Sequence, residues 1–451
     1  MIELLPDRIA TEAGARVVVS GPEGRPARAS IDSREIRPGD LFFGLAGAHT
    51  EGGRFAADAL RAGAWGVVVT PRDAAALDPE AGGWVLEAVS PLRSMQRLAR
   101  AWRRQLGVPV VGITGSTGKT SVKDICRAIL PRRVHASREN FNTEIGVPLT
   151  ILEASSEVEL IVLEMAMRGV GQIAELCAIA EPDVAAITNV GPVHLELLGT
   201  LEAIAEAKAE IVRGLGNVGR AVIPEDAESL EPHLEDTLVT ITFGPGGEVF
   251  AERVEVSAGE TRALIATPHG QHEFRLPFDE AHNLTNTLCA VAIGVALDLP
   301  VDAMAERAPG IVFSRLRGQR IELADDVVLI NDCYNANPVS MRAALEHLRS
   351  LEPAGRRLAV LGGMHELGPD GPAYHREVGA LARELEIGPI VGVGELARDY
   401  APDHWAPDPD SGARLVRRLL GPGDAVLVKG SRAIELERLS DALAATEGGE
   451  G

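Results

Sequence analysis

The chain has 451 residues, of which 45% are hydrophobic and 24% charged, an ordinary globular composition whose length suggests about three domains. Lys and Arg number 44 against 65 Asp and Glu, a formal net charge of -21; that acidity argues against a nucleic-acid partner and against docking on an anionic membrane. Cys126, Cys177, Cys289 and Cys333 are scattered without a C-x-x-C pair, and the N-terminus lacks a basic segment followed by an apolar one. The expectation is therefore a cytoplasmic protein without disulfides, secretion signal or membrane-spanning segment.

Residues 1–107 read as a small α/β domain. Extended structure over 28–45 is broken by a Pro38-Gly39-Asp40 turn. RFAADALRAG then reads as a short helix, WGVVVT as a strand, and 91–105 as a second helix. Residues 108–313 form the next unit. VPVVGIT, LIVLEMA and DVAAITNV are apolar strands, each followed by a helical pattern, which predicts a parallel sheet covered on both faces. Residues 218–278 carry more strand, Gly and Pro signals and are expected to be the β-rich part of this domain, before the helical stretch EAHNLTNTLCAVAIGVALDL. From 314 to 451, VVLIND, RLAVLGG, PIVGVG and AVLVKGS are four strand candidates separated by helical patterns. The fold class is α/β, with a doubly wound, Rossmann-like arrangement at the C-terminal end.

GSTGKT spans Gly115, Ser116, Thr117, Gly118, Lys119 and Thr120, between the strand VPVVGIT and the helix SVKDICRAIL. Strand, glycine-rich loop and helix together make a phosphate-binding loop. Backbone amides and the helix N-terminus attract phosphate oxygens, Lys119 reaches the outer phosphates, and Thr120 suits Mg²⁺. The strict pattern would place a Gly where Ile113 stands; Gly112 and Gly115 flank that position instead. Further on, Glu164 closes LIVLEMA, His194 follows DVAAITNV, and Lys208 lies on the helix LEAIAEAKAEIVRGL. Taken singly, these are ordinarily a solvated strand end, a structural histidine and a surface lysine. Their order behind a phosphate loop makes them candidates: Thr120 and Glu164 as hard oxygen ligands for Mg²⁺, and His194 for a second metal.

The stretches DSREIRPGDLFFGL (32–45), GITGSTGKT (112–120), NFNTEIGVPLT (140–150), LEMAMRGVGQIAEL (163–176), ITNVGPVHLELLG (187–199), AKAEI (207–211), HNLTN (282–286), NDCYNANPVSMRAAL (331–345), LGGMHELG (361–368) and VKGSR (428–432) together resemble the Mur ligase family over nearly the whole chain. NDCYNANP points to the branch that joins D-alanyl-D-alanine to a UDP-N-acetylmuramoyl-tripeptide. The resemblance implies an N-terminal UDP-sugar domain, a central ATPase domain, and a C-terminal domain that closes over the site and helps bind the amine. It implies ATP and two Mg²⁺ sites, one held by Thr120 and Glu164, the other by His194 and a carbamylated Lys208. Lys119, Lys208 and His194 would be catalytic. Asn283 would contact adenine, with Arg315 and Asp332 reaching the nucleotide from the C-terminal side. Ser33, Arg34, Asn142, Tyr334 and Asn337 would bind the other substrates, with Ser33 and Arg34 at the uridine diphosphate. A monomer is expected, with hinges near 106–108 and 313–315. Two departures stand out: Ala166 where Gly is usual after E-M, and Gly363 where L-G-[DE]-M carries an acid.

The implied chemistry is activation of a carboxylate as an acyl phosphate, followed by amine attack. Two rivals remain: a relative of the same family that adds a single amino acid, and a nucleotide-binding regulatory protein without ligase chemistry. A dehydrogenase is a poor reading, because GVGEL at 392–396 lacks the full G-x-G-x-x-G.

Overall fold

The computed structural model describes residues 3–47, 50–80, 82–138, 140–193, 195–235 and 238–445. A first sheet runs in the order Arg16–Val19, Trp84–Glu87, Gly66–Val69, Leu41–Phe43, Ala29–Ser30, with the first pair antiparallel and the rest parallel. Leu41, Phe42 and Phe43 are all buried. Alternation along the strand sends Leu41 and Phe43 into one core and Phe42 into a smaller one.

The helix Pro91–Leu106 leaves this sheet. Ser90 caps it by accepting from the Arg93 amide at 3.3 Å, and Gly107 in the left-handed region ends it. Pro91, Met95, Leu98, Ala99 and Trp102 line its buried face at helical spacing. That face packs on the helices Gly146–Glu153 and Gln172–Ala180, and Trp102 Nε1 donates to the Ala154 carbonyl at 3.0 Å. One apolar core therefore runs without a break from Leu4 to Leu230.

The central sheet is wholly parallel, in the order Val239–Phe243, Arg220–Pro224, Val184–Ile187, Val110–Thr114, Leu160–Glu164, Val134–Ala136. Ile161 and Leu163 point into the core shared with the N-terminal layer, while Leu160 and Val162 point into a second core. The β-rich stretch divides in two. Its first strands extend the parallel sheet. The strands Phe250–Ser257, Glu260–Thr267 and Gly270–Leu276 make a separate antiparallel sheet, which covers the second core with Ala263, Ile265, Phe274 and Leu276.

The C-terminal sheet has six strands, in the order Gln319–Glu322, Val328–Asn331, Ala425–Lys429, Arg357–Gly362, Ile390–Val393, His404–Ala406; all neighbours are parallel except the first pair. Four of these are the apolar runs seen in the sequence. Gln319–Glu322 and His404–Ala406 are short edge strands with mostly exposed or half-buried residues, so they lack the apolar signature of buried strands. The central and C-terminal domains meet through polar groups. Ser314 N and Oγ donate to Asp124 Oδ2 at 2.8 and 2.7 Å, and Arg168 pairs with Glu366 at 3.4 Å. Among the described residues no hydrophobic cluster takes members from both sides of this junction. All four cysteines are free and buried. Among the described residues no helix is long and apolar enough to cross a membrane.

Candidate active site

The central strands Val110–Thr114, Leu160–Glu164 and Val184–Ile187 end at the floor of a cleft of about 1370 Å³, the position where open α/β sheets bind ligands. The loop 115–118 leads into the helix Lys119–Ile129, whose first amides have no partner within the helix. Gly118 has φ +79°, and a Cβ there would lie 2.4 Å from Asn286 Oδ1; only glycine satisfies both demands. Asn189 braces the loop: its Oδ1 accepts from Ser116 N at 3.1 Å and Thr117 N at 2.9 Å, and its Nδ2 donates to Thr117 Oγ1 at 2.6 Å. Ser116 Oγ donates to the Gly191 carbonyl at 2.9 Å. Ser116, Thr117, Gly118, Lys119 and Thr120 all line the cleft.

Lys119 Nζ donates to the Gly115 carbonyl at 2.7 Å. Burial pushes its pKa down, and Arg317 adds to that, while Glu164 opposes both. Thr120 Oγ1 donates to Glu164 Oε2 at 2.7 Å. Glu164 Oε1 accepts from Asn142 Nδ2 at 2.8 Å. Thr120 and Glu164 are both buried. A hydroxyl and a carboxylate held within hydrogen-bond distance are hard oxygen donors, so this pair fits Mg²⁺.

Lys208 is 2% exposed on the helix Leu201–Arg213. Its pKa lies well below the ordinary lysine value because burial disfavours the ammonium and Lys119 repels it. His194 lies outside the described residues.

Other sequence candidates divide. Asn283 is buried at the cleft, where its Oδ1 accepts from Asn286 Nδ2 at 3.1 Å. Asp332 lines the cleft and pairs with Lys429 at 2.6 Å. Tyr334 and Asn337 line it too, but Asn337 also caps the helix Pro338–Ser350 in a reciprocal box with Ser340. Ser33 and Arg34 stand on the short turn Ser33–Glu35, outside the cleft lining, with Arg34 turned onto Asp32; Ile31 is the nearby residue that faces the cleft.

Arg315 stands outside the cleft lining. Its side chain is 78% exposed and lies 3.8 Å from Asp441. Arg317 lines the cleft: its Nη2 donates to Thr120 Oγ1 at 2.7 Å, and its guanidinium lies 4.1 Å from the Tyr334 ring centre. Leu316 between them is turned to φ +66° and buried in the C-terminal core, so the two arginines leave the backbone on opposite sides. Asn189 and Arg168, which also line the cleft, lay inside quoted motifs without an assigned role. As for the departures, Ala166 lines the cleft, and at Gly363 a Cβ would lie 2.7 Å from Leu396 Cβ. Leu396 thus fills the space that an acidic side chain there would need.

Strand, glycine-rich loop, helix and strand-end carboxylate define a P-loop enzyme of the phosphoryl-transfer class. Family models match in chain order: Mur ligase family, catalytic domain, over 28–106; Mur ligase middle domain over 113–294; and Mur ligase, glutamate ligase domain, over 316–432. The chain belongs to the Mur ligase family. It is 35% identical to the UDP-N-acetylmuramoyl-tripeptide--D-alanyl-D-alanine ligase of Mycobacterium tuberculosis, over 99% of both chains. To the ligase of the same name from Bacillus subtilis it is 34% identical, over 91% of both. The crystal structure of MurF from Acinetobacter baumannii superposes with a TM-score of 0.88 at 28% identity, covering 98% of this chain and 99% of the other. MurF ligase from Thermotoga maritima in complex with ADP gives 0.83 at 30% identity, covering 93% and 97%.

Proposed function

We infer that this chain is an ATP-dependent ligase that adds D-alanyl-D-alanine to UDP-N-acetylmuramoyl-tripeptide in peptidoglycan precursor synthesis. The observation that carries this is the end-to-end likeness to ligases of that name, over 99% of both chains in one case, with the phosphate loop, Thr120 and Glu164 in one cleft.

The chemistry follows from the groups present. A free carboxylate does not acylate an amine, because its leaving group would be oxide. A tripeptide carboxylate oxygen attacks the γ-phosphorus of ATP; an O–P bond forms, the bond to the β-phosphate oxygen breaks, and ADP departs. Negative charge gathers at the transferring group, and Lys119 and Arg317 stand on the loop side of the cleft to neutralise it. Mg²⁺, held by Thr120 and Glu164, would supply further neutralisation. The dipeptide amine then attacks the acyl carbon, loses a proton, and expels phosphate. Water would destroy the acyl phosphate, so closure of the C-terminal domain over the cleft protects it.

Lys208 would serve as a ligand after carbamylation, with His194 beside it. A depressed pKa supplies the neutral amine that CO₂ requires, and the product is a carboxylate-like oxygen donor. Asn283 would receive adenine, Arg315 and Asp332 the nucleotide from the C-terminal side, and Ser33 and Arg34 the uridine diphosphate; Asn142, Tyr334 and Asn337 would meet the remaining substrate groups. The working divisions are 1–107, 108–313 and 314–451, in a cytoplasmic monomer.

The test is phosphate release from ATP and Mg²⁺ with the UDP-muramoyl-tripeptide, with and without D-alanyl-D-alanine. Release that needs both substrates, with a pentapeptide product by mass, is expected. Release supported equally well by a single amino acid would overturn the choice of amine. Lys208→Ala should be almost inactive and partly restored by acetate. Full activity without any additive would rule out the carbamate.

A further inference from the structure

We propose that Asp279, Glu280 and His347 bind one divalent transition-metal ion of the zinc class, which clamps the C-terminal domain against the central one. Asp279 and Glu280 immediately precede the helix Ala281–Ala296 of the central domain, and His347 lies on the C-terminal helix Pro338–Ser350. One ligand atom from each lies within 4.8 Å of the others. His347 Nε2 is 3.7 Å from Asp279 Oδ1 and 4.0 Å from Glu280 Oε1. These separations are too long for hydrogen bonds. They suit donors around a shared ion, since bonds of about 2.1 Å set neighbouring ligand atoms roughly 3 to 4 Å apart.

The polar neighbours are arranged to leave these atoms free. Asp279 Oδ2 accepts from the Gly259 amide at 2.8 Å, and Glu280 Oε2 from Asn283 Nδ2 at 3.3 Å. Each carboxylate is thus held by one oxygen while the other faces the histidine, as outer partners orient the ligands of a metal. The His347 side chain is only 9% exposed, and its buried Nδ1 lacks a partner among the described residues. Nε2, the nitrogen turned toward both carboxylates, is the one placed to take an ion.

The donor set decides the class of ion. Imidazole with two carboxylates favours zinc, cobalt or manganese over magnesium, which prefers oxygen alone. The position decides the consequence. The central helix carries Asn283 and Asn286 into the cleft, and the C-terminal helix begins there with Asn337 and Ser340. Gly318, just past the polar junction, comes so close that a Cβ would lie 3.1 Å from Glu280 Oε1. An ion here would hold the two domains closed beside the cleft without occupying the phosphate site.

The experiment titrates the full chain, stripped with a chelator, with Zn²⁺ by calorimetry. Saturating Mg²⁺ and ADP are present, to fill the positions around Thr120 and Glu164. The wild type should take up a single equivalent, which His347→Gln loses, and zinc should raise the melting temperature of the wild type alone. Ligation by His347→Gln with Mg²⁺ should stay at the wild-type level, so failure here leaves the ligase reading standing. No zinc equivalent in the wild type, or the same equivalent in His347→Gln, would overturn the proposal. Asp279→Asn, which keeps the shape of the side chain, should weaken zinc binding about 10-fold or more, and unchanged affinity in that variant would also overturn it.

Discussion

The two junctions of the central domain are built from different material. Toward the N-terminus, Trp102, Leu98 and Met95 belong to the same core as Ile161 and Leu163 of the central sheet. Toward the C-terminus, the contacts include Ser314 on Asp124, Arg317 on Thr120 and Arg168 on Glu366. Separating the first junction would expose apolar surface at roughly 25 cal/mol per Å². Opening the second exchanges hydrogen bonds with protein for hydrogen bonds with water, a nearly balanced trade. Leu106 and Val108 both pack against the shared core, so the expected hinge at 106–108 lies where the chain is fastened. The other hinge, at 313–315, opens directly onto the polar junction. From this contrast the expected motion is of the C-terminal domain against the other two.

The strongest way to break the contrast is Trp102→Ala. The ring is 1% exposed and its Nε1 is hydrogen-bonded. Its loss should cost about 3–5 kcal/mol, read by denaturant unfolding with probes in both the N-terminal and central domains. Both probes should move together. An N-terminal transition that shifts alone would show that the two domains fold separately.

Arg317→Ala attacks the polar side. The guanidinium touches Thr120 and stacks on Tyr334, so turnover should fall on the order of 10² to 10³-fold while the melting temperature hardly moves. Arg317→Lys should not restore it, since an ammonium neither stacks nor donates in a fork. Wild-type turnover in the alanine variant would reduce Arg317 to a packing residue.

That arginine also marks where the sequence stops being legible. GSTGKT and Glu164 could be read because they lie at the ends of strands whose apolar runs announce them. That Arg317 reaches Thr120 while Arg315 lies near Asp441 goes with one left-handed residue, Leu316, which no sequence pattern announces. The edge strands Gln319–Glu322 and His404–Ala406 were hidden because half-exposed strands carry no apolar run. The shared core was hidden for another reason. The helix 91–106 shows an apolar face in sequence, but which surface receives that face is a matter of tertiary packing.

Lys208→Met sharpens the picture within the rigid body. The lysine pKa is lowered on folding, so the unfolded chain binds more protons, and stability rises with pH toward the ordinary lysine value. The uncarbamylated wild type is penalised most at low pH. Methionine removes that penalty, so Lys208→Met, compared with wild type prepared free of CO₂, should melt at the same temperature or higher, with the margin widening as pH falls. Ligation should be lost at every pH. A margin that narrowed as pH fell would mean that the lysine is charged in the folded protein.

The smallest effect is expected at Arg168 and Glu366, which face each other across the cleft at 3.4 Å with the arginine side chain 73% exposed. Solvent screens such a pair, so Arg168→Gln should change stability by only about 0–1 kcal/mol. In kinetics, a bias of that size on closure amounts to a factor of about five or less. It should appear in the KM for the dipeptide, which the proposed closure would help retain, more than in kcat. It should also vanish at high ionic strength, because salt screens exposed charges. A loss in kcat that persists in salt would place Arg168 against the reacting groups, and the polar junction would then be part of the chemistry as well as the joint on which the domain swings.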